Sequence, residues 1–204
     1  MMDAISQYIG DFTWLKAIDL AGLLLGLVYL YLEFKASIWL WLVSVIMPIV
    51  HGYLYWERGL YADFGMEVYY VLAAVYGYAM WRWSRDDGAG EKADQRPITR
   101  FPLRRMVPVA LIGLVLWAVI YWILTSFTDS TVPLCDSFTT ALSMVALWAL
   151  AQKYAEQWLL WFVVDAVCTV LYIYKQIPFT ATLYAFYTVM AVLGYRQWLK
   201  KMPH

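Results

Sequence analysis

Charge is what this chain has least of. Its 15 Lys/Arg and 15 Asp/Glu are spread over 204 residues and cancel to a net charge of zero. With no basic excess there is no electrostatic footprint for a nucleic-acid partner. Cysteine is almost missing. Cys135 stands beside a loop and Cys168 inside a hydrophobic run, a pattern that excludes a disulfide framework and a thiolate metal site. Histidine is as scarce, with only His51 inside the chain and His204 at its end. No Ser/His/Asp set, metal-ligand cluster or phosphate loop can be assembled, so the sequence predicts no enzyme and no cofactor. The first sixteen residues lack a basic start, a short apolar core and a cleavage site, which predicts no cleaved leader.

What is present is apolar and aromatic: 63% hydrophobic residues, 12 Trp and 17 Tyr. The apolar residues fall into seven runs, 17–32, 38–56, 65–83, 106–127, 137–152, 158–174 and 179–198. Each approaches the ~17–25 residues that cross a hydrocarbon core. The runs are continuous rather than alternating, which argues against transmembrane strands. Trp39, Trp56, Trp81, Trp83, Trp158 and Trp198 sit at run ends, where an interfacial aromatic belt belongs. The expected class is an all-α integral membrane protein with seven transmembrane helices.

Basic residues orient it. With the N-terminus outside, Lys35, Arg82, Arg85, Lys92, Arg96, Arg100, Arg104, Arg105, Lys153, Arg196, Lys200 and Lys201 fall on the cytoplasmic side. Only Lys16, Arg58 and Lys175 fall outside, so the positive-inside rule predicts N-terminus out and C-terminus in. The expected division is an extracytoplasmic segment 1–16, a three-helix repeat 17–83, a cytoplasmic linker 84–105, a linking helix 106–127, a second three-helix repeat 137–198 and a cytoplasmic tail 199–204. The linker, with its mixed charge, reads as a solvated connector.

The repeats are visible as an echo. Asp19 to Trp81 falls without a gap on Asp136 to Trp198. Tyr70, Ala74, Val75, Gly77, Tyr78 and Trp81 meet Tyr187, Ala191, Val192, Gly194, Tyr195 and Trp198, and Trp41-Leu42 meets Trp158-Leu159. Three spanning helices would invert a directly following copy. One extra helix, 106–127, restores the second copy to the orientation of the first. Parallel repeats of this kind point to a transporter with its pathway between them. Asp19 and Asp136 stand at helix starts and read as caps.

A 3+1+3 layout resembles the SWEET-like transporters, and the motifs narrow the resemblance. The stretch Gly59-Leu60-Tyr61-Ala62-Asp63-Phe64-Gly65, with Tyr69-Tyr70 and Val75-Tyr76-Gly77-Tyr78, resembles the PnuC family of bacterial vitamin transporters. So do Thr139-Thr140-Ala141-Leu142-Ser143, Trp158-Leu159-Leu160-Trp161, Leu171-Tyr172-Ile173-Tyr174-Lys175 and Gly194-Tyr195-Arg196-Gln197-Trp198. The resemblance implies uptake of nicotinamide riboside or thiamine across the bacterial inner membrane by facilitated diffusion. It also implies a cytoplasmic kinase that traps the vitamin by phosphorylation. The WxxW pair corresponds to the family's substrate-stacking motif.

The residues themselves point to the same place. Asp165 stands in the middle of the sixth run, where an ionised group is costly and marks a functional site. Helical spacing puts Trp158, Trp161, Asp165, Cys168 or Thr169, and Tyr172 on one face. Indoles, a carboxylate, a hydroxyl and a phenol suit a flat organic cation. The bland alternatives are a belt role for Trp158 and a protonated or salt-bridged structural role for Asp165. The echo sets Asp165 opposite Pro48, which removes a helical donor and predicts a kink, either a hinge for transport or a bend with no transport role. His51 and Tyr55 follow Pro48 on the second helix. His51 is a substrate ligand, a partner of Asp165, a proton carrier or a satisfied core residue. Glu67 is a ligand or a solvated interface residue. Tyr70 and Tyr187, matched across the echo, join Tyr69 and Tyr184 as pathway candidates. Against the family pattern, Asp165 replaces an Asn, Glu67 a Gln and Leu147 a Gln. Carboxylates in place of amides favour the donors of an aminopyrimidine and tip the expectation toward thiamine. The alternatives are a proton-coupled vitamin or sugar symporter and a membrane protein that binds without transporting.

Overall fold

The computed structural model describes residues 24–57, 61–83, 96–176 and 178–202. Among them are seven α-helices: α1 over 24–35, α2 (Trp39–Glu57), α3 (Tyr61–Trp83), α4 (Met106–Phe127), α5 (Pro133–Ala151), α6 (Gln157–Tyr174) and α7 (Pro178–Lys201). Each expected run outside the first therefore holds a helix, and Met106–Phe127 matches at both ends. Prolines set several boundaries. Pro133 and Pro178 open α5 and α7, and Pro108 falls in the first turn of α4, where a missing N–H costs nothing. Pro48 is the exception, inside α2.

The chain is an all-α membrane protein. Leu103–Phe127, Pro133–Ala151 and Gln157–Tyr174 are long and apolar enough to cross a bilayer by length and composition. Along α4 no residue is buried, and Val107, Leu111, Ile112, Leu114, Val115 and Trp122 all lie exposed. A helix that is apolar all round and unburied needs lipid as its solvent. α3 and α7 are less apolar, but at 23 and 24 residues they also exceed the length that spans ~30 Å of hydrocarbon.

The echo in the sequence is an echo in hydrogen bonds. After α1, Ala36 N–H donates to the Glu33 carbonyl and Ser37 N–H to Leu32, both at 2.9 Å. After α5, Lys153 N–H donates to Leu150 at 2.8 Å and Tyr154 N–H to Ala149 at 3.0 Å. This paired pattern is the Schellman helix end, whose left-handed residue is Ala36 at φ 54° in one copy and Lys153 at φ 58° in the other. The next helix starts alike. Leu40 N–H bonds Ser37 and Trp41 N–H bonds Ile38, as Gln157 bonds Tyr154 and Trp158 bonds Ala155. Burial repeats too: Leu40 and Gln157, Trp41 and Trp158, Ala74 and Ala191, and Trp81 and Trp198 are all buried.

The chain forms two compact units, 1–75 and 76–204. In the first, Leu40, Trp41, Glu33 and Ala74 are buried, and Gly52 of α2 gives room for Phe64 and Glu67 of α3 to pack against it. Trp56 meets Phe64 edge to face at 5.2 Å. In the second, α4 packs on α5 through Trp117, whose Nε1–H donates to Ser137 Oγ at 3.1 Å and whose ring meets Phe138 at 5.4 Å. α6 and α7 close over Trp158, which stands edge-on to Trp198 at 6.0 Å. Trp198 in turn meets Trp81 at 6.3 Å, and Trp81 Nε1–H donates to the Leu150 carbonyl at 3.1 Å.

Two expectations need correction. The linker is not a solvated connector throughout, because residues 96–105 lie as a strap over the α5–α6 turn. Thr99 N–H donates to Lys153 O at 3.1 Å and Ala155 N–H to Thr99 O at 3.0 Å, a single parallel bridge step. Residues 84–95 fall outside the described part. Asp136 is not a cap. The N-cap of α5 is Val132, and Asp136 instead accepts from Ser130 Oγ at 2.8 Å and pairs with Lys175 Nζ at 3.6 Å. Asp19 lies outside the described residues.

Candidate binding site

α6 starts from a short turn fixed by the Schellman end of α5, and its polar residues then recur every three or four positions on one face. Asp165 is 7% exposed. Among the described residues its carboxylate accepts no hydrogen bond and forms no ion pair. Its backbone carbonyl accepts from Thr169 Oγ at 2.7 Å, so the Thr169 proton is already used within the helix. One turn before Asp165, the Trp161 Nε1–H is buried without a partner. An unpartnered carboxylate next to an unpartnered indole donor is an arrangement that a ligand completes.

Aromatic rings continue this face. Tyr172 stacks on Tyr184 of α7 at 5.2 Å with 22° between planes, and Tyr187 meets Tyr184 edge-on at 5.9 Å. Tyr184 and Tyr187 are near enough to interact electrostatically with Asp165. The structure thus brings together Trp161, Asp165, Thr169, Tyr172 and Tyr187 on α6 and α7. Trp158 sits apart from them in character. A Cβ on Gly194 would fall 2.6 Å from its indole carbons, so the ring lies flat against the α7 backbone, 2% exposed. A groove of about 590 Å³ between Val132, Cys135, Val167, Val170 and Tyr174 lies on the opposite side of α6 and is almost wholly apolar. It offers a polar ligand nothing.

In the first unit, His51 Nδ1 lies 3.7 Å from Glu67 Oε1, within reach of an ion pair when the imidazole is protonated. Glu67 is the more buried of the two, at 13% side-chain exposure against 37%. Tyr70 is 37% exposed and meets Tyr69 edge-on at 5.6 Å. Pro48 lies within α2, where Ser44 Oγ donates to the Trp41 carbonyl at 2.9 Å. Tyr55 belongs to the same helix, and its side chain lies outside the described residues.

The sequence profile of the nicotinamide mononucleotide transporter family matches residues 16–200. The chain belongs to the PnuC family. A crystal structure of the vitamin B3 transporter PnuC shares the fold, with a TM-score of 0.64 and 25% identity over 86% of this chain and 77% of that one. The riboflavin/roseoflavin transporter RibM of Streptomyces davaonensis is 29% identical over 88% of this chain and 83% of its own length. The nicotinamide riboside transporter PnuC of Escherichia coli is 24% identical over 93% and 86%.

Within this PnuC-family chain one polar residue of α6 was missed by sequence reasoning. Gln157 is fully buried, and neither its amide nitrogen nor its amide oxygen has a partner. The Trp158 Nε1–H beside it is also unpartnered. Gln157 precedes a hydrophobic run and looks like an ordinary interfacial residue. The signal that would have found it is the echo, which sets Gln157 on the equally buried Leu40.

Proposed function

We propose that this chain is a transporter that takes up a flat-ringed B vitamin, bound against the α6 face that carries Trp161 and Asp165. The observation that carries the reading is the buried Asp165 carboxylate without a partner inside an apolar span. A charge or hydrogen-bond donor brought by the ligand offsets the cost of that site. Trp161 and the Tyr172–Tyr184–Tyr187 group supply ring surfaces, and Trp158 holds α6 against α7 behind them. Nicotinamide riboside and thiamine both carry a flat cationic ring, which indole faces and a carboxylate attract together. His51, Tyr55, Glu67 and Tyr70 of the first repeat complete the pathway, and Pro48 is its hinge. The two repeats stand parallel in the 3+1+3 SWEET-like arrangement, in the inner membrane with the C-terminus in the cytoplasm. Entry is by facilitated diffusion, and a cytoplasmic kinase traps the vitamin.

A second substrate reading rests on the RibM relative. Riboflavin is flat and uncharged, and its ribityl hydroxyls are donors that a carboxylate accepts. Purified protein in proteoliposomes decides between these readings when offered labelled nicotinamide riboside, thiamine and riboflavin, each with and without a pH gradient. Saturable flux of one compound is expected, unaffected by the gradient. Accumulation driven by the gradient would replace facilitated diffusion with proton coupling, and no flux of any of the three would sink the transporter assignment.

A further inference from the structure

Five observations converge at the end of the second unit where the strap lies. Glu156 grips the strap twice, accepting from Phe101 N–H at 2.7 Å and from Arg100 at 3.3 Å. Arg100 also reaches Tyr195 of α7 at 3.0 Å, and Arg105 reaches the Tyr154 hydroxyl at 2.9 Å. The strap's Phe101 ring stands edge-on to Tyr154 at 5.2 Å. In the same turn, next to the residues the strap holds, stand two buried polar groups. The Gln157 amide is sealed from solvent with both its ends unsatisfied. Lys153 is 4% exposed, in a left-handed backbone conformation. Its ammonium rests 4.2 Å above the Trp81 ring, and burial with Lys201 and Arg96 nearby pushes its pKa down to about 8.

We infer that the strap 96–105 is a gate over the second repeat, held shut through Glu156, and that its opening lets water reach the unsatisfied amide of the next residue, Gln157. The first repeat has an apolar, fully buried residue, Leu40, at the place Gln157 occupies here. A buried amide with no partner penalises the closed state, and water reaching it on opening removes the penalty. The strap's bonds oppose that opening. The Arg100–Glu156 pair is largely exposed and adds little, so the grip rests on the Phe101 N–H bond, the Thr99 bridge and the ring contacts. The closed end is therefore balanced between two states, as a door in alternating access requires. The inference rests on the transport reading, because only a moving substrate gives such a door a purpose.

Two variants with opposite effects test it. Q157L copies the first repeat and removes the penalty. It should raise the melting temperature of the purified protein and slow amide hydrogen exchange at Thr99 and Phe101 by about tenfold. E156A releases the strap and should speed the same exchange by a similar factor. In any vitamin flux the protein shows, Q157L should lower turnover. Strap exchange unchanged in both variants, or Q157L melting lower with exchange unaltered, overturns the gate and makes Gln157 a packing residue. Melting and exchange need no substrate, so a protein that carries none of the tested vitamins would remove the transport reading alone while these readouts still decide whether this end opens.

Discussion

Asp165 is expensive where it stands. A carboxylate at the centre of a spanning helix costs about 2.5–3.5 kcal/mol on insertion scales, and nothing in the described structure offsets it. That cost is also why the residue is legible in sequence, since a charge inside an apolar run contradicts everything around it. Gln157 contradicts nothing, because polar residues are ordinary at helix starts. Its isolation becomes visible only when its burial in the fold is known. Trp158 is legible only in part. Its WxxW spacing suggests a stacking platform, whereas the contact with Gly194 that fixes its ring is a tertiary fact. Asp165 also separates the substrate readings. Asp165→Asn keeps shape and hydrogen-bond acceptance but removes the charge. For a cationic vitamin the Michaelis constant should rise by about tenfold or more, roughly the 1.4 kcal/mol of one lost ionic contact. For riboflavin the change should be severalfold at most, since hydroxyl donors still find an acceptor. Unchanged kinetics with the transported compound would make Asp165 structural.

Helices were readable and turns were not. A long apolar run predicts a helix from its length alone, which is why α4 agrees at both ends. The strap's polar composition predicts solvent, and its docking depends on Glu156, Tyr154 and Tyr195, which are distant in sequence. The α5–α6 turn beneath it holds Lys153, whose titration gives a test of that packing. Its folded pKa of about 8 lies below that of an ordinary lysine. Between those values the unfolded chain binds the proton and the folded one does not, so stability rises with pH through that window. Below pH 8 the penalty is fully present and constant. The Trp81 ring favours the charged form and keeps the effect to a few kcal/mol at most. Lys153→Met should therefore melt higher than the parent at pH 7, with the gap shrinking as pH rises above 8. A gap independent of pH from 7 to 10 would show that Lys153 is charged and satisfied in the fold.

At the scale of the molecule, orientation rests on the distribution of basic residues. Twelve of the fifteen, including the seven between Arg82 and Arg105, fall on one side in the seven-span topology. Lys16, Arg58 and Lys175 fall on the other. A bias of that size on short loops sets which side is retained in the cytoplasm. In the proposed orientation the strap, Lys153 and Lys201 stand at the cytoplasmic end. A fluorescent protein that matures only in the cytoplasm, fused after His204, should therefore light up in bacterial cells. A periplasmically active phosphatase at the same point should stay silent. An active phosphatase there would invert the protein and move the strap to the entry side, so the gate would admit the vitamin rather than release it. Changing Arg82, Arg85, Lys92, Arg96, Arg100, Arg104 and Arg105 together to Gln leaves five basic residues against three, a weak bias. If the charge excess of the linker holds the chain one way round, the two reporters should then report a mixed population.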